Sequence, residues 1–381
     1  MKLVFAHDHK LRNINGRYYT TGGLSNEIIS KYLDFFDSVT IFCRVIEKQD
    51  SDTSLSELTN SRVTIKPTSF DGSLIPKSSI LKQMEHEIST ADGLIVKLHS
   101  VVAEFAIHYA RKHHIPYLIE CVGDPWDAYW NYNIKGKMIA PFMTLLTKSA
   151  LKKAPYVMYV TKEYLEKRYP TNGRWIACSD VVLKKANTDV LEQRLSRIRN
   201  NRMVFKLGTL AQVDVRYKGQ EYVIEALAGL KKRGLKIEYE LVGSGNSNRL
   251  RQIAEKFGVE DQVNFLGTID HSDIFDWLDT IDLYIQPSKQ EGLPRSLAEA
   301  LSRACPAIGA DVGGISELIS KDCIFPKGNV KEIAQLIASA DKKFLIKNAK
   351  ENYNNAQNYD VELLSEKRRK FYEEFSQICA N

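Results

Sequence analysis

Two acidic side chains, Glu291 and Glu299, stand eight positions apart in SKQEGLPRSLAEALSRACPAIGADVGGISELI, residues 288–319. Pro294 suits a first helical turn, where its missing N–H costs nothing, and Leu297, Ala300, Leu301 and Ala304 recur at helical spacing. Glu291 is therefore expected just before a helix start, with Glu299 about one and a half turns inside. Taken as ordinary charge, Glu291 would complement the helix dipole and Glu299 would be a solvated helix residue. Taken as chemistry, the free N–H groups of Gly292, Leu293 and their neighbours make this helix start compatible with an anion. A second such place is LGTLAQVDVRYKGQEYVIEAL, where Arg216 and Lys218 precede Gly219 and a helix. Side-chain charge, free N–H groups and the helix dipole all favour phosphate oxygens there, and the same pair would also suit a solvated surface. Gly243 and Gly245 in LVGSGNSNRL permit a tight turn or close approach to a ligand, but a GxG without a third glycine is a weak signal.

These loops need a frame, and the chain supplies one twice. In the first half, apolar runs at 2–8, 39–45, 63–69, 93–99, 116–122 and 156–161 alternate with helical patterns such as SNEIISKYLDFF and VVAEFAIHYARKHH. After LKKANTDVLEQRLSRIRNN (183–201) the alternation restarts with RMVFKLGTL and runs through IEYELVGSG, VNFLGTI, LYIQPS, PAIGAD and CIFP. This predicts α/β architecture with parallel sheets: two Rossmann-like doubly wound domains facing across a cleft. The expected division is 1–190, 191–360 and a charged amphipathic helix at 361–381, either crossing back to the first domain or lying on the second. Ligands of open α/β sheets bind outside the carboxyl ends of strands, so the loops after strands are where chemistry is expected. In the first half those loops hold His7 and His9 in AHDHK, His99 in LIVKLHS, and Asp124 and Trp126 in IECVGDPWDAYW.

Composition narrows the function classes. A chain of 381 residues, 44% hydrophobic and 26% charged, fits two domains of a globular enzyme. No apolar run reaches the roughly 18 to 20 residues of a membrane span, and MKLVFAHDH reads as a short strand broken by charge rather than an export signal, so a cytoplasmic location is expected. The six cysteines show no CxxC pair or zinc-like spacing, and His7 and His9 lack the third ligand of a metal site. A net charge of +6 is mild for this length and calls for no nucleic-acid partner. KGKMIAPFMTLLTKSALKKAPY (135–156) interleaves Lys135, Lys137, Lys148, Lys152 and Lys153 with apolar residues. Such a helix either packs into the core or lies on the anionic inner face of the plasma membrane.

EGLPRSLAEALSRACPAIGADVGGISELI, with RYKGQ about 70 residues upstream and GSG between them, resembles the retaining glycosyltransferases of family 4, which have the two-domain GT-B fold. The resemblance is strongest over about 200–325 and weaker but collinear over 1–185. It implies that Glu291 contacts the donor sugar, that Glu299 holds the ribose hydroxyls of a nucleotide and that Lys218 grips the donor diphosphate. It extends the donor side to Gly23, Gly208, Thr209, Arg216, Gly243, Gly292 and Leu293. His99 is the implied cleft histidine beside the reacting sugar; Asp124 and His9 are expected on the acceptor side from their own places at strand ends. One departure is that Thr209 stands where the family often has Arg, which leaves Arg216 to supply that cation. The implied activity is transfer from a nucleotide sugar, UDP before GDP, to a hydroxyl of a glycan or lipid-linked glycan in cell-surface polysaccharide assembly, with retention and without a metal or resident cofactor. Two other classes remain open: a sugar-nucleotide epimerase of the same fold, and a non-catalytic nucleotide-sugar-binding partner subunit.

Overall fold

The computed structural model describes residues 1–47, 55–69, 75–184, 189–200 and 205–381. The start of the strand expected from Arg202, and residues 185–188 of the expected linker, lie outside the described residues. The chain forms two compact units: Met1–Trp126, Ala140–Cys178 and Ser365–Asn381 make the first, Asp127–Ile139 and Ser179–Leu364 the second. The division drawn at 190/191 and 360/361 thus becomes 178/179 and 364/365, and Asp127–Ile139 joins the second unit.

The strands of the first unit are β1 (Lys2–Ile14), β2 (Arg17–Thr20), β3 (Ser38–Glu47), β4 (Ser56–Glu57), β5 (Val63–Ser69), β6 (Gly93–Leu98), β7 (Tyr117–Cys121), β8 (Tyr156–Tyr159) and β9 (Arg174–Ala177). Seven are parallel in the order β5-β3-β1-β6-β7-β8-β9; β2 adds antiparallel to the far end of β1, and β4 adds antiparallel to β2. The strand order reverses between β1 and β6, which makes their carboxyl ends the switch point of the sheet. The register of β1 against β3 shifts between Ala6 and Lys10, so His7, Asp8 and His9 occupy an irregularity that re-aims their side chains. Beyond it β1 continues into a hairpin whose turn residues, Asn15 and Gly16, have φ 53° and 82°. Leu94, Val96, Ile119 and Val157 are wholly buried beneath the helix Val101–Lys112, whose Val102, Ala106 and Ala110 face them.

The terminal helix, Val361–Cys379, carries Tyr372 into this unit. Its hydroxyl donates to Glu120 Oε1 at 2.6 Å, as does Tyr32 at 2.9 Å, while Lys97 lies 3.4 Å from the other oxygen. A buried carboxylate is tolerated there because charge and hydrogen bonds meet it from three sides.

The second unit has six parallel strands, β10 (Phe205–Leu210), β11 (Ile237–Val242), β12 (Val263–Gly267), β13 (Leu283–Gln286), β14 (Ala307–Ala310) and β15 (Ile324–Phe325), ordered β12-β11-β10-β13-β14-β15. Its switch point falls between β10 and β13. All six cysteines are free and buried, and among the described residues no helix is long and apolar enough to cross a membrane.

Candidate active site

The switch-point geometry brings together the two loops that the sequence singled out. Lys218 ends a short 3-10 turn, Arg216–Lys218, after β10, and Glu291 lies between β13 and the helix Arg295–Ser302. Lys218 Nζ donates to Glu291 Oε1 at 2.7 Å, across 73 residues of sequence. The same oxygen accepts from Ser288 Oγ at 2.7 Å and from Gln286 Nε2 at 3.0 Å, whereas Oε2 makes no hydrogen bond among the described residues. One oxygen therefore fixes the carboxylate in place. Gln286 is itself held by Tyr284, whose hydroxyl donates to Oε1 at 3.1 Å, so the carboxylate is anchored to β13 rather than to a loose loop.

Two glycines make the approach possible. Gly219 has φ 73° and a Cβ there would sit 2.1 Å from the Pro287 carbonyl oxygen; Gly313 has φ 54° and a Cβ would sit 2.1 Å from that of Glu291. Any side chain at either position would push the Lys218 or Glu291 loop away. The Gly314 N–H then ties the second loop by donating to Gly292 O at 2.6 Å. The helix that follows Glu291 has Pro294 at its N-cap and no side-chain cap, so its first N–H groups remain available to an anion. Arg216 is exposed and forms no ion pair among the described residues.

Glu299 is not a solvated helix residue: it is 6% exposed. Burial raises its pKa above the ordinary 4.5, opposed by the His271 and Arg295 charges, and His271 Nε2 lies 3.5 Å from Oε1. Four other expected donor-side positions have different roles. Thr209 is fully buried, its hydroxyl donating to Ile285 O at 2.7 Å and meeting Tyr239 OH at 2.8 Å, so it cross-links β10, β11 and β13 and offers nothing to a ligand. Gly208 faces Ile281 and Trp277, and a Cβ would meet Ile281 at 2.9 Å. Gly243 faces the Ala211 carbonyl oxygen, 2.1 Å from where a Cβ would stand, so its close approach is to the loop after β10. Leu293 is a buried apolar anchor of the Glu291 loop.

Sequence reasoning missed Ser288 and Gln286, although both lie within five residues of Glu291 on the strand and loop that carry it. It also missed a cluster beside the Lys218 helix: Glu221 accepts from Lys289 Nζ at 2.9 Å and lies 3.5 Å from Arg249 Nη1.

In the first unit, His7, His9 and His99 gather at the β1/β6 switch point. The His7 and His9 rings stack with centroids 6.4 Å apart, and His9 Nε2 is 3.1 Å from Thr20 Oγ1. Burial, with the Lys97 charge behind it, holds His7 well below and His9 below the usual imidazole range. Burial likewise lowers His99, against the opposing pull of Gly123, Asp124 and Asp8. Between the histidines, Asp8 accepts from the N–H groups of Val101 and Val102 at 2.7 and 3.0 Å and caps the helix after β6. Gly23 backs onto the His9 ring, where a Cβ would lie 2.8 Å from Cε1.

Asp124 does not serve as an open acceptor-side group. Its side chain is 1% exposed, pairs with Arg168 Nε at 2.6 Å, and accepts from Trp126 N at 2.8 Å, Tyr164 OH at 2.9 Å and Tyr169 OH. With so many donors it is a buried hub that holds the turn after β7 to the helix Tyr164–Arg168.

The chain thus has two Rossmann-like sheets, and a lysine and a carboxylate meet at the switch point of the second. The family model for glycosyl transferases group 1 matches residues 196–359. Protein CapJ of Staphylococcus aureus is 32% identical over 383 residues, covering 97% of this chain and 94% of CapJ. A putative colanic acid biosynthesis glycosyltransferase, WcaL of Escherichia coli K12, is 30% identical over 132 residues, or 32% of either chain. Among solved structures, Anabaena Alr3699/HepE in complex with UDP-glucose superposes with a TM-score of 0.64 at 16% identity, over 98% of this chain and all of that one, a likeness of fold. The chain belongs to the glycosyl transferases group 1 family and has its GT-B fold.

Proposed function

We propose that this protein transfers a hexose-type sugar from a nucleotide sugar, with UDP as the nucleotide, to a hydroxyl of a glycan or lipid-linked glycan, with retention at the anomeric carbon. The observation that carries this reading is the 2.7 Å contact between Lys218 and Glu291 at the switch point, beside a helix start without a side-chain cap. Lysine has three N–H donors, and Glu291 takes one; the others are free to meet diphosphate oxygens. As the sugar–phosphate bond breaks, negative charge grows on the leaving diphosphate, and Lys218, Arg216 and the helix N–H groups stabilise it. The reading is metal-independent, with these groups supplying the positive field.

Glu291, held through one oxygen, positions the donor sugar with the other, and Glu299 receives the ribose hydroxyls. His99, kept neutral by burial, orients a sugar hydroxyl without adding charge. The departing phosphate takes the acceptor proton, so no strong protein base is needed. That Alr3699/HepE was solved with UDP-glucose favours UDP, and the naming of WcaL as a putative colanic acid biosynthesis glycosyltransferase favours a step of surface polysaccharide assembly. The test is incubation with UDP and GDP sugars while following nucleotide release in buffer containing a chelator. Slow hydrolysis that disappears in Lys218→Met and Glu291→Gln supports transfer. A new sugar nucleotide formed from donor alone would indicate an epimerase, and binding without turnover a non-catalytic subunit.

A further inference from the structure

The helix Ile134–Lys152 presents an apolar stripe to solvent. Ile134, Met138, Phe142 and Leu145, spaced four, four and three residues apart, fall on one face and are 61–79% exposed. Tyr132, just before the helix, is 80% exposed, and Trp130 is also exposed. The opposite face, with Ala140, Met143, Thr147 and Ala150, is buried and fixes the helix to the protein. A contiguous apolar face of this kind is unfavourable in water and marks a surface that something covers.

The charge around the stripe has one sign. Lys135, Lys137, Lys148, Lys152 and Lys153 are exposed along it, and from Ala128 to Lys162 there is no Asp or Glu, in a chain with 47 acidic residues. Lys137 Nζ lies 5.6 Å from the Trp130 ring centroid, its stem covering apolar surface while its charge stays outward. A second copy of the chain docked through a two-fold axis here would set lysine against lysine. A surface that is apolar within and anionic at its edge matches instead, and aromatic rings with a polar tip sit where headgroup meets acyl chain.

We propose that this face docks the protein on an anionic lipid bilayer, with the helix lying in the plane of the interface. At 1.5 Å per residue the helix gives a footprint about 28 Å long, with the stripe about 5–10 Å deep at the headgroup boundary. The proposal goes beyond the transfer reading and does not depend on it, because its readout contains no nucleotide.

The test is flotation of the full chain with vesicles of phosphatidylcholine alone and of phosphatidylcholine with phosphatidylglycerol. Binding is expected only to the second, weakening at about 1 M salt, where the Debye length is about 3 Å. Each lysine near an anionic surface is worth about fivefold in partition, so Lys135→Gln with Lys137→Gln should lose about 25-fold. Met138→Asp with Phe142→Asp should abolish binding, and because both sites are exposed, melting temperature should stay unchanged. Absence of binding to anionic vesicles at low salt would overturn the proposal, as would full binding by both paired variants. A solution dimer dispersed by Phe142→Asp would assign the face to a second copy instead.

Discussion

Lys218→Met removes the ammonium while keeping most of the side chain's length, and its effects separate a binding role from a structural one. In the free protein the Lys218–Glu291 pair is 2.7 Å apart, with side chains 21% and 10% exposed. At an effective dielectric constant of about 20 the attraction is about 6 kcal/mol, and most of it is offset by desolvation of the two charges. Ser288 and Gln286 still donate to the stranded carboxylate. The expected loss of stability is therefore modest, about 1–2 kcal/mol. Nucleotide binding should suffer more: a charge-assisted contact to diphosphate is worth about 1.5–3 kcal/mol, or roughly 10- to 150-fold in Kd for UDP. Turnover should fall by about 100- to 1,000-fold, because the contact strengthens as charge builds on the leaving group. Calorimetric titration with UDP, thermal unfolding of the free protein and UDP release under saturating donor measure the three quantities. Glu291→Gln completes the cycle, since it should share the stability loss yet leave UDP affinity nearly intact. A lysine variant that melts earlier but binds UDP within twofold of the parent would refute the phosphate role and leave Lys218 as a strut for Glu291.

Three further substitutions test the remaining assignments. Because burial raises the Glu299 pKa above 4.5, UDP affinity should fall as pH drops through that raised value, while this residue's contribution to free-protein stability moves the other way and is lost as pH rises from 4.5; Glu299→Gln should flatten both trends. Glu104, on the helix after β6, has its pKa raised by burial to about 7, with Oε1 lacking a hydrogen-bond partner among the described residues. Stability should decline from pH 4.5 to about 7 on its account, and Glu104→Gln should be the more stable protein at pH 8 by at most about 3 kcal/mol in denaturant titration; a Gln variant no more stable at pH 8 than at pH 5, relative to the parent, would contradict this. Thr209→Val should cost about 1–3 kcal/mol by leaving Tyr239 OH without its buried partner, with KM for the donor unchanged; a large rise in KM would restore Thr209 to the site.

The sequence made some of this visible and hid the rest for identifiable reasons. Glycine, proline and charged residues cluster where β10 and β13 end, so Lys218 and Glu291 were legible as loop residues with chemistry. Their meeting was not, because it depends on β10 and β13 being neighbours, a pairing between strands 73 residues apart. Gly208 and Thr209 were misread because three consecutive residues of β10, Leu207, Gly208 and Thr209, are buried, so no alternation there reveals which of them points into the core. Asp124 sits in a strand-end loop, yet its partners Tyr164, Arg168 and Tyr169 come from a helix about 40 residues later, and that saturation has no local signature. The hairpin at Asn15-Gly16 did have one: an NG pair between strand-like runs is the usual mark of such a turn, overlooked because β1 was expected to stop at Asp8. The bulge at His7–His9 lets a single strand serve both the parallel sheet and that hairpin.

The same topology, used twice, yields two different chemistries. At the β10/β13 switch point the charges are explicit: a lysine, a carboxylate and a helix start with free N–H groups, which suit a charged ligand that must be gripped and then released. At β1/β6 the corresponding helix start is already closed by Asp8, whose carboxylate takes the first N–H groups, so that end is poorly suited to an anion. What remains there are His7, His9 and His99, all held toward the neutral form by burial. Neutral imidazoles both donate and accept hydrogen bonds without demanding a counter-charge, which fits hydroxyl-rich groups better than phosphates. The two switch points thus differ in how their helix starts are satisfied: Ser100 Oγ and the Asp8 carboxylate take the first N–H groups in one, whereas the other has Pro294 at its N-cap and no side-chain cap.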